Sequence, residues 1–184
     1  MRIQVIGAGS WGLALARRLA INGHEVSLWA REEDGFDDLR RTGRSPYYLP
    51  GVRLPESVDV VREATPGAEI AIFAVVSHAM RTVAQQLTFA EETIRVSAAK
   101  GIEAGSLLRM SEVLAEVYPR SPIAAVSGPS HAEEAAKDLP TTLVAASTTT
   151  NAAEAIQQAL LADCVRVYTS SDLVGVELGG ALKN

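Results

Sequence analysis

The stretch Gly7-Ala8-Gly9-Ser10-Trp11-Gly12 follows a short apolar run, residues 2–6, and opens a helix-periodic segment, residues 10–22. A G-x-G-x-x-G pattern is weak alone and becomes informative between a strand and a helix. Each glycine then has a physical task. Gly7 permits the tight turn, Gly9 lets bare backbone approach a pyrophosphate, and Gly12 lets the helix pack close to the sheet. The first N–H groups of the helix add positive potential at the same point. The stretch predicts a strand–turn–helix unit that binds a dinucleotide.

Working outward, strand-like and helix-like segments alternate along the whole chain. Leu13, Ala16, Leu19 and Ala20 share one face of the first helix, which Asn22-Gly23 stops. Strands are predicted at 25–29, 58–61, 69–75, 93–98, 123–127, 142–147 and 165–169. Residues 69–75 are nearly all apolar, so they read as a central strand buried on both faces. Helices are predicted at 32–42, 78–87, 106–118 with Ser106 as N-cap, 130–137 and 152–161. A Pro- and Gly-rich loop occupies 44–57. This order predicts an α/β fold: a Rossmann-like doubly wound, mainly parallel sheet with helices on both faces.

Composition agrees. The 184 residues are 47% hydrophobic and 21% charged, an ordinary globular mix, and only 5% are aromatic. A net charge of −5 gives no general attraction to nucleic acid. No apolar run reaches membrane-spanning length and no signal peptide is evident, which points to a cytoplasmic protein without membrane insertion. The single cysteine, Cys164, excludes an internal disulfide and reads as a buried thiol. No metal site is expected.

A last helix should begin at Ser171 or Asp172, either a good N-cap. Val174, Glu177, Leu178, Ala181 and Leu182 recur on it at helical spacing. The sequence given ends at Lys183-Asn184 without a stop signal. The expectation is a dinucleotide-binding domain over residues 1–170, followed at 171–184 by the start of a helix leading into a further domain. Such a fragment is expected to be inactive alone.

The residue that chooses between cofactors should lie at the tip of the second strand. Arg31 sits there, able to pair with a ribose 2′-phosphate or to stack on adenine. Glu32 and Glu33 follow at once, so the cofactor reads as NAD(P)H, with tolerance of NADP rather than strict use of it.

Four further strings join the glycine turn: Ser97-Ala98-Ala99-Lys100-Gly101-Ile102-Glu103, Ser127-Gly128-Pro129-Ser130-His131-Ala132-Glu133-Glu134, Arg166-Val167-Tyr168-Thr169, and Glu177-Leu178-Gly179-Gly180-Ala181-Leu182-Lys183-Asn184. In this order the set resembles the bacterial NAD(P)-dependent glycerol-3-phosphate dehydrogenases. The resemblance implies reversible reduction of dihydroxyacetone phosphate to sn-glycerol 3-phosphate, a phospholipid precursor. It allows a homodimer in the full-length enzyme.

The resemblance assigns roles residue by residue. Lys183 matches the catalytic lysine. Lys100 matches a contact to cofactor and substrate, Gly128 and Ser130 match substrate contacts, and Ala132 matches a cofactor contact. Gly7, Gly9, Ser10, Trp11, Gly12 and Arg31 match the cofactor set, with Tyr48 of the Y-Y-L-P string a weaker member. Ser130 could also cap the helix expected at 130–137. His131 is read as framework rather than as a base, and His24 and His78 as ordinary polar groups. Lys100 close to Lys183 would depress the pKa of Lys183 by like-charge repulsion.

Two departures from the family pattern stand out. Val75-Val76-Ser77 replaces V-P-S, which puts the rigidity of that turn in doubt. The family's all-α substrate domain, source of an arginine-asparagine pair for the phosphate, has no counterpart in these residues. A non-catalytic dinucleotide sensor and a related dehydrogenase for another small substrate are the competing readings.

Overall fold

The computed structural model describes residues 1–183; Asn184, the last residue of the E-L-G-G-A-L-K-N string, lies outside them. Its elements are β1 Arg2–Ile6, α1 Ser10–Ile21, β2 Glu25–Trp29, α2 Phe36–Thr42, β3 Val58–Val61, β4 Ile70–Phe73, α3 Met80–Gln86, β5 Ile94–Ser97, α4 Met110–Val117, β6 Ile123–Ser127, α5 Ala132–Ala135, β7 Thr141–Ser147, α6 Thr150–Leu160, β8 Val165–Ser170 and α7 Leu173–Leu182.

The strands form one eight-stranded sheet in the order β3-β2-β1-β4-β5-β6-β7-β8. Every pairing is parallel except that of β6 with β7. Strand alternation sends side chains to two cores. In β4, Ile70 and Ile72 pack with Leu15 and Leu19 of α1 and Ile156 of α6. Ala71 and Phe73 turn the other way, onto Met80 and Val83 of α3 and Met110 and Leu114 of α4. Full burial of each large apolar side chain contributes about 1.5–3 kcal/mol. Helices thus cover both faces, as the alternation of the sequence predicts. The order reverses between β1 and β4, which opens a crevice at the strands' C-terminal ends.

Several element boundaries differ from expectation. The helix expected at 32–42 is split: Glu32–Asp34 form a 3-10 turn, and Gly35 at φ 81 breaks into α2. The helix expected from Ser106 begins at Met110. Ser106 is not its cap; its hydroxyl donates to the Glu103 carboxylate, and Leu107 turns the chain at φ 60. The helix expected at 130–137 is a four-residue turn, α5, after which Asp138 sits at φ 60, tied to Arg17 and Arg18 of α1. Cys164 is half-buried rather than buried.

The helix expected from Ser171 or Asp172 is α7. Asp172 caps it, accepting from the Gly175 N–H at 2.8 Å. Of its helically spaced residues, Val174, Leu178 and Leu182 are exposed. The inner face instead carries Glu177 and Gly180. No helix among the described residues is long and apolar enough to cross a membrane.

Candidate active site

The loops leaving β1, β4, β5 and β6 enclose a cleft of about 460 Å³. Gly9, Ser10, Trp11, Tyr48, Lys100, Ser130, Ala132 and Lys183 line it, so most of the sequence-derived residues meet in one place. Gly7, Gly12, Arg31 and Gly128 are outside its lining. Gly128 lines an adjoining cavity of about 500 Å³ beside α7, which Lys183 also reaches.

Gly7 and Gly12 act from behind the surface. Gly7 takes φ 109, and a Cβ there would come within 2.8 Å of the Ala74 carbonyl oxygen. A Cβ on Gly12 would lie 1.9 Å from the Gly7 carbonyl oxygen, so only glycine lets α1 start this close to the turn. Gly9 is the opposite case. A Cβ there would meet nothing within 4 Å, which leaves its bare backbone facing open space. The first helical bond of α1 runs from the Leu13 N–H to the Gly9 carbonyl at 3.0 Å. Among the described residues no acceptor meets the N–H groups of Ser10, Trp11 and Gly12, and no side chain caps the helix. Orphan donors beside open space fit a pyrophosphate.

Lys100 lies just past β5, in a loop fixed from both sides. Gly101 takes φ 139 with Ser77 Oγ 2.8 Å from where its Cβ would stand. Glu103 accepts from Arg81 Nε and Nη2 on α3, each at 2.8 Å, and from Ser106 Oγ at 2.6 Å. The Arg81 guanidinium, helped by the Ser106 hydroxyl, holds the Glu103 carboxyl down at about 2.

The two lysines converge. Lys100 Nζ donates to the Ser130 carbonyl at 3.3 Å and reaches the Gly128 carbonyl at 3.5 Å. Lys183 Nζ donates to the same Ser130 carbonyl at 3.2 Å. Burial, reinforced by the Lys183 charge, lowers the Lys100 pKa from its ordinary value. Two cations at one cleft wall can attract an anionic ligand and donate protons to an oxygen on it.

Ser130 contributes through its backbone. His131, not Ser130, occupies the N-cap of α5, and Ser130 Oγ turns back towards the Gly128 carbonyl at 3.5 Å. The capping role is therefore not taken up. The path of this loop depends on Gly128, where a Cβ would fall 2.5 Å from the Thr142 carbonyl oxygen. His131 lines the cleft and is exposed. His24 bonds the Ala159 carbonyl at 3.0 Å, and His78 is exposed in a 3-10 turn.

Arg31 stands at the tip of β2 with three of its guanidinium N–H donors directed at carboxylates. Its Nε and Nη2 donate to Asp34 at 3.0 and 2.9 Å, and its Nη1 meets Glu33 at 3.0 Å. Asp34 also accepts the Arg31 backbone N–H at 3.0 Å and is only 7% exposed. This ion pair, led by the Asp34 hydrogen bonds, raises the Arg31 pKa above its ordinary value.

Sequence reading missed the apolar floor of the cleft, formed by Ala74, Val75, Val76, Ala98 and Ala99. Their position directly after β4 and β5 was the available signal. Val76 adopts φ −65, the value a proline ring would impose, so the turn keeps its shape without the proline. Among the described residues no His, Cys, Asp and Glu group could hold a metal ion.

Comparison with known proteins agrees with the fold. A family model described as "NAD-dependent glycerol-3-phosphate dehydrogenase N-terminus" matches residues 2–153. A relative named glycerol-3-phosphate dehydrogenase [NAD(P)+] from Desulfitobacterium hafniense is 47% identical over 187 residues, covering 100% of this chain and 53% of that protein. One of the same name from Syntrophotalea carbinolica is 45% identical, covering 100% and 58%. The crystal structure of glycerol-3-phosphate dehydrogenase from Coxiella burnetii superimposes with a TM-score of 0.90 at 33% identity, over 97% of this chain and 56% of that one. The chain spans about half the length of the curated relatives it matches.

Proposed function

This chain belongs to the NAD-dependent glycerol-3-phosphate dehydrogenase family, matching its N-terminal model, and on that premise we propose that it supplies the cofactor-binding half of an active site that reduces dihydroxyacetone phosphate to sn-glycerol 3-phosphate. The observation that carries the reading is the meeting of Lys100 and Lys183 on one carbonyl, at the wall of the cleft that the glycine turn opens.

The N–H groups of Ser10, Trp11 and Gly12 would hold the pyrophosphate, with Gly9 giving it room. Trp11, Tyr48 and Ala132 would bound the cofactor, and the apolar floor from Ala74 to Val76 would keep water from the nicotinamide. NADH, when bound, supplies the hydride that reaches the carbonyl carbon. Lys183 donates the proton to the carbonyl oxygen, and Lys100 stabilises negative charge gathering there. One hydride and one proton convert the ketone to the alcohol, and Lys183 is left neutral until water reprotonates it. Gly128 and Ser130 shape the substrate side of the wall.

Asp34 favours NADH over NADPH. A 2′-phosphate would compete with Asp34 and Glu33 for the Arg31 guanidinium and would bring further negative charge beside both carboxylates. This narrows the NADP tolerance that Arg31 suggests when read alone.

The direct test is Lys183→Met in the intact protein, followed by NADH oxidation with dihydroxyacetone phosphate. Turnover should fall by about a thousandfold or more, as expected for loss of a general acid that also stabilises charge, while NADH affinity stays within a factor of about two. Near-normal turnover would remove Lys183 from the chemistry.

A further inference from the structure

Glu177 is an acidic residue on the buried face of an otherwise apolar, glycine-rich helix. It is 7% exposed. Its Oε1 accepts the Ser111 backbone N–H at 2.8 Å. Its Oε2 accepts the Ser111 hydroxyl at 2.5 Å and Arg109 Nη1 at 2.7 Å. Ser111 is the second residue of α4, where helical N–H groups lack partners and an anion is favoured. Arg109 is itself held by Glu112 at 2.8 Å. Both carboxylate oxygens are thus engaged by the N-terminal turn of α4, a helix that packs on β6 as α7 does.

The next turn of α7 brings Gly180 against the sheet. A Cβ there would lie 2.4 Å from Ser127 Oγ and 3.8 Å from Lys100 Cγ. The following step reaches Lys183, whose Nζ meets the Ser130 carbonyl. Glu177, Gly180 and Lys183 are two successive i, i+3 steps along one side of the helix, about 9 Å in rise. Among the other α7 side chains, Leu173, Val176 and Ala181 are half-buried, and Val174, Leu178 and Leu182 are exposed.

We propose that Glu177 is the positioning residue for Lys183: by clamping α7 to the start of α4, it sets the rotation and height of the helix that delivers the lysine amine to the cleft. The inference rests on the reading of Lys183 as proton donor. The clamp is specific in direction. A glutamine could still accept from Ser111 N, but its amide N–H groups would confront the Arg109 guanidinium, and the Ser111 hydroxyl would have to turn from donor to acceptor. α7 then loses its reference point while its Asp172 cap stays in place.

The test is steady-state kinetics of the intact protein with Glu177→Gln, Ser111→Ala, the double variant and Lys183→Met, each with a melting curve and an NADH titration. Glu177→Gln should lower kcat by about ten- to a hundredfold, the cost of misplacing a reacting group by an ångström or less, with NADH affinity unchanged. The primary isotope effect from deuterated cofactor should rise as chemistry becomes limiting. Ser111→Ala should lower kcat in the same sense, and the two losses should not multiply in the double variant. Loss of melting temperature with kcat unchanged would make Glu177 merely structural and overturn the inference. Multiplying losses would overturn it too. Lys183→Met inactive beside a normal Glu177→Gln fails this inference alone, whereas an active Lys183→Met fails the underlying reading.

Discussion

Single residues here act through atoms that sequence reading does not single out. Ser130 is the clearest case: its hydroxyl is unimportant to the lysine pair, and its carbonyl oxygen receives both Nζ groups. Arg31 is another. The same residue reads as a 2′-phosphate ligand from its position and as a cation already paired once Asp34 is seen beside it. That yields a prediction at this scale. Asp34→Asn should free the guanidinium and raise the ratio of NADPH to NADH affinity by about tenfold, the worth of one charge-assisted hydrogen bond. Paired titrations with the two cofactors check it, and an unchanged ratio would mean that Arg31 does not read the 2′ position. Val76 shows the converse economy: the backbone holds φ −65 with no proline to enforce it.

At the scale of elements, the site is held by short ties between helices and loops. Glu103 fastens the Lys100 loop to α3 through Arg81, and Glu177 fastens α7 to α4 through Ser111. The Glu103 tie has a pH signature. Its folded-state pKa of about 2 lies below the ordinary 4.5, so its stabilisation is complete above pH 4.5 and is lost as pH falls towards 2. Glu103→Gln should therefore flatten the part of the acid-stability curve between those limits, measured by denaturant melts at stepped pH. An unchanged slope would show that the tie does not form. These elements also mark where sequence reading stops. Helix periodicity and the apolar run of β4 are local signals, and they hold in the structure. The late start of α4 depends on Ser106 turning to Glu103, and the facing of α7 depends on a partner 66 residues away. Neither preference is encoded in the segment itself: Val174, Leu178 and Leu182 form a good apolar stripe by spacing and still face outward.

For the whole molecule, the sheet order does most of the functional placement. The reversal between β1 and β4 brings the glycine turn, the Val76 turn, Lys100 and the Ser130 loop to one edge, although they are scattered over more than a hundred residues of sequence. The place of the glycine turn was legible because G-x-G-x-x-G and strand–helix alternation follow from local chemistry, whereas Lys100 and the Ser130 loop were expected there through the family resemblance. The central claim is that this edge holds a dinucleotide against the two lysines. Gly9 offers the sharpest probe, since a side chain there meets nothing in the fold and enters only the space assigned to the pyrophosphate. The decisive measurement is a titration of this chain with NADH, read by the fluorescence of Trp11 and Trp29, for the natural sequence and for Gly9→Val, with melting curves of both. Saturable 1:1 binding by the natural chain, lost in a Gly9→Val variant that melts at the same temperature, is the predicted result. No binding by the natural chain, or equal binding by both, would contradict the account.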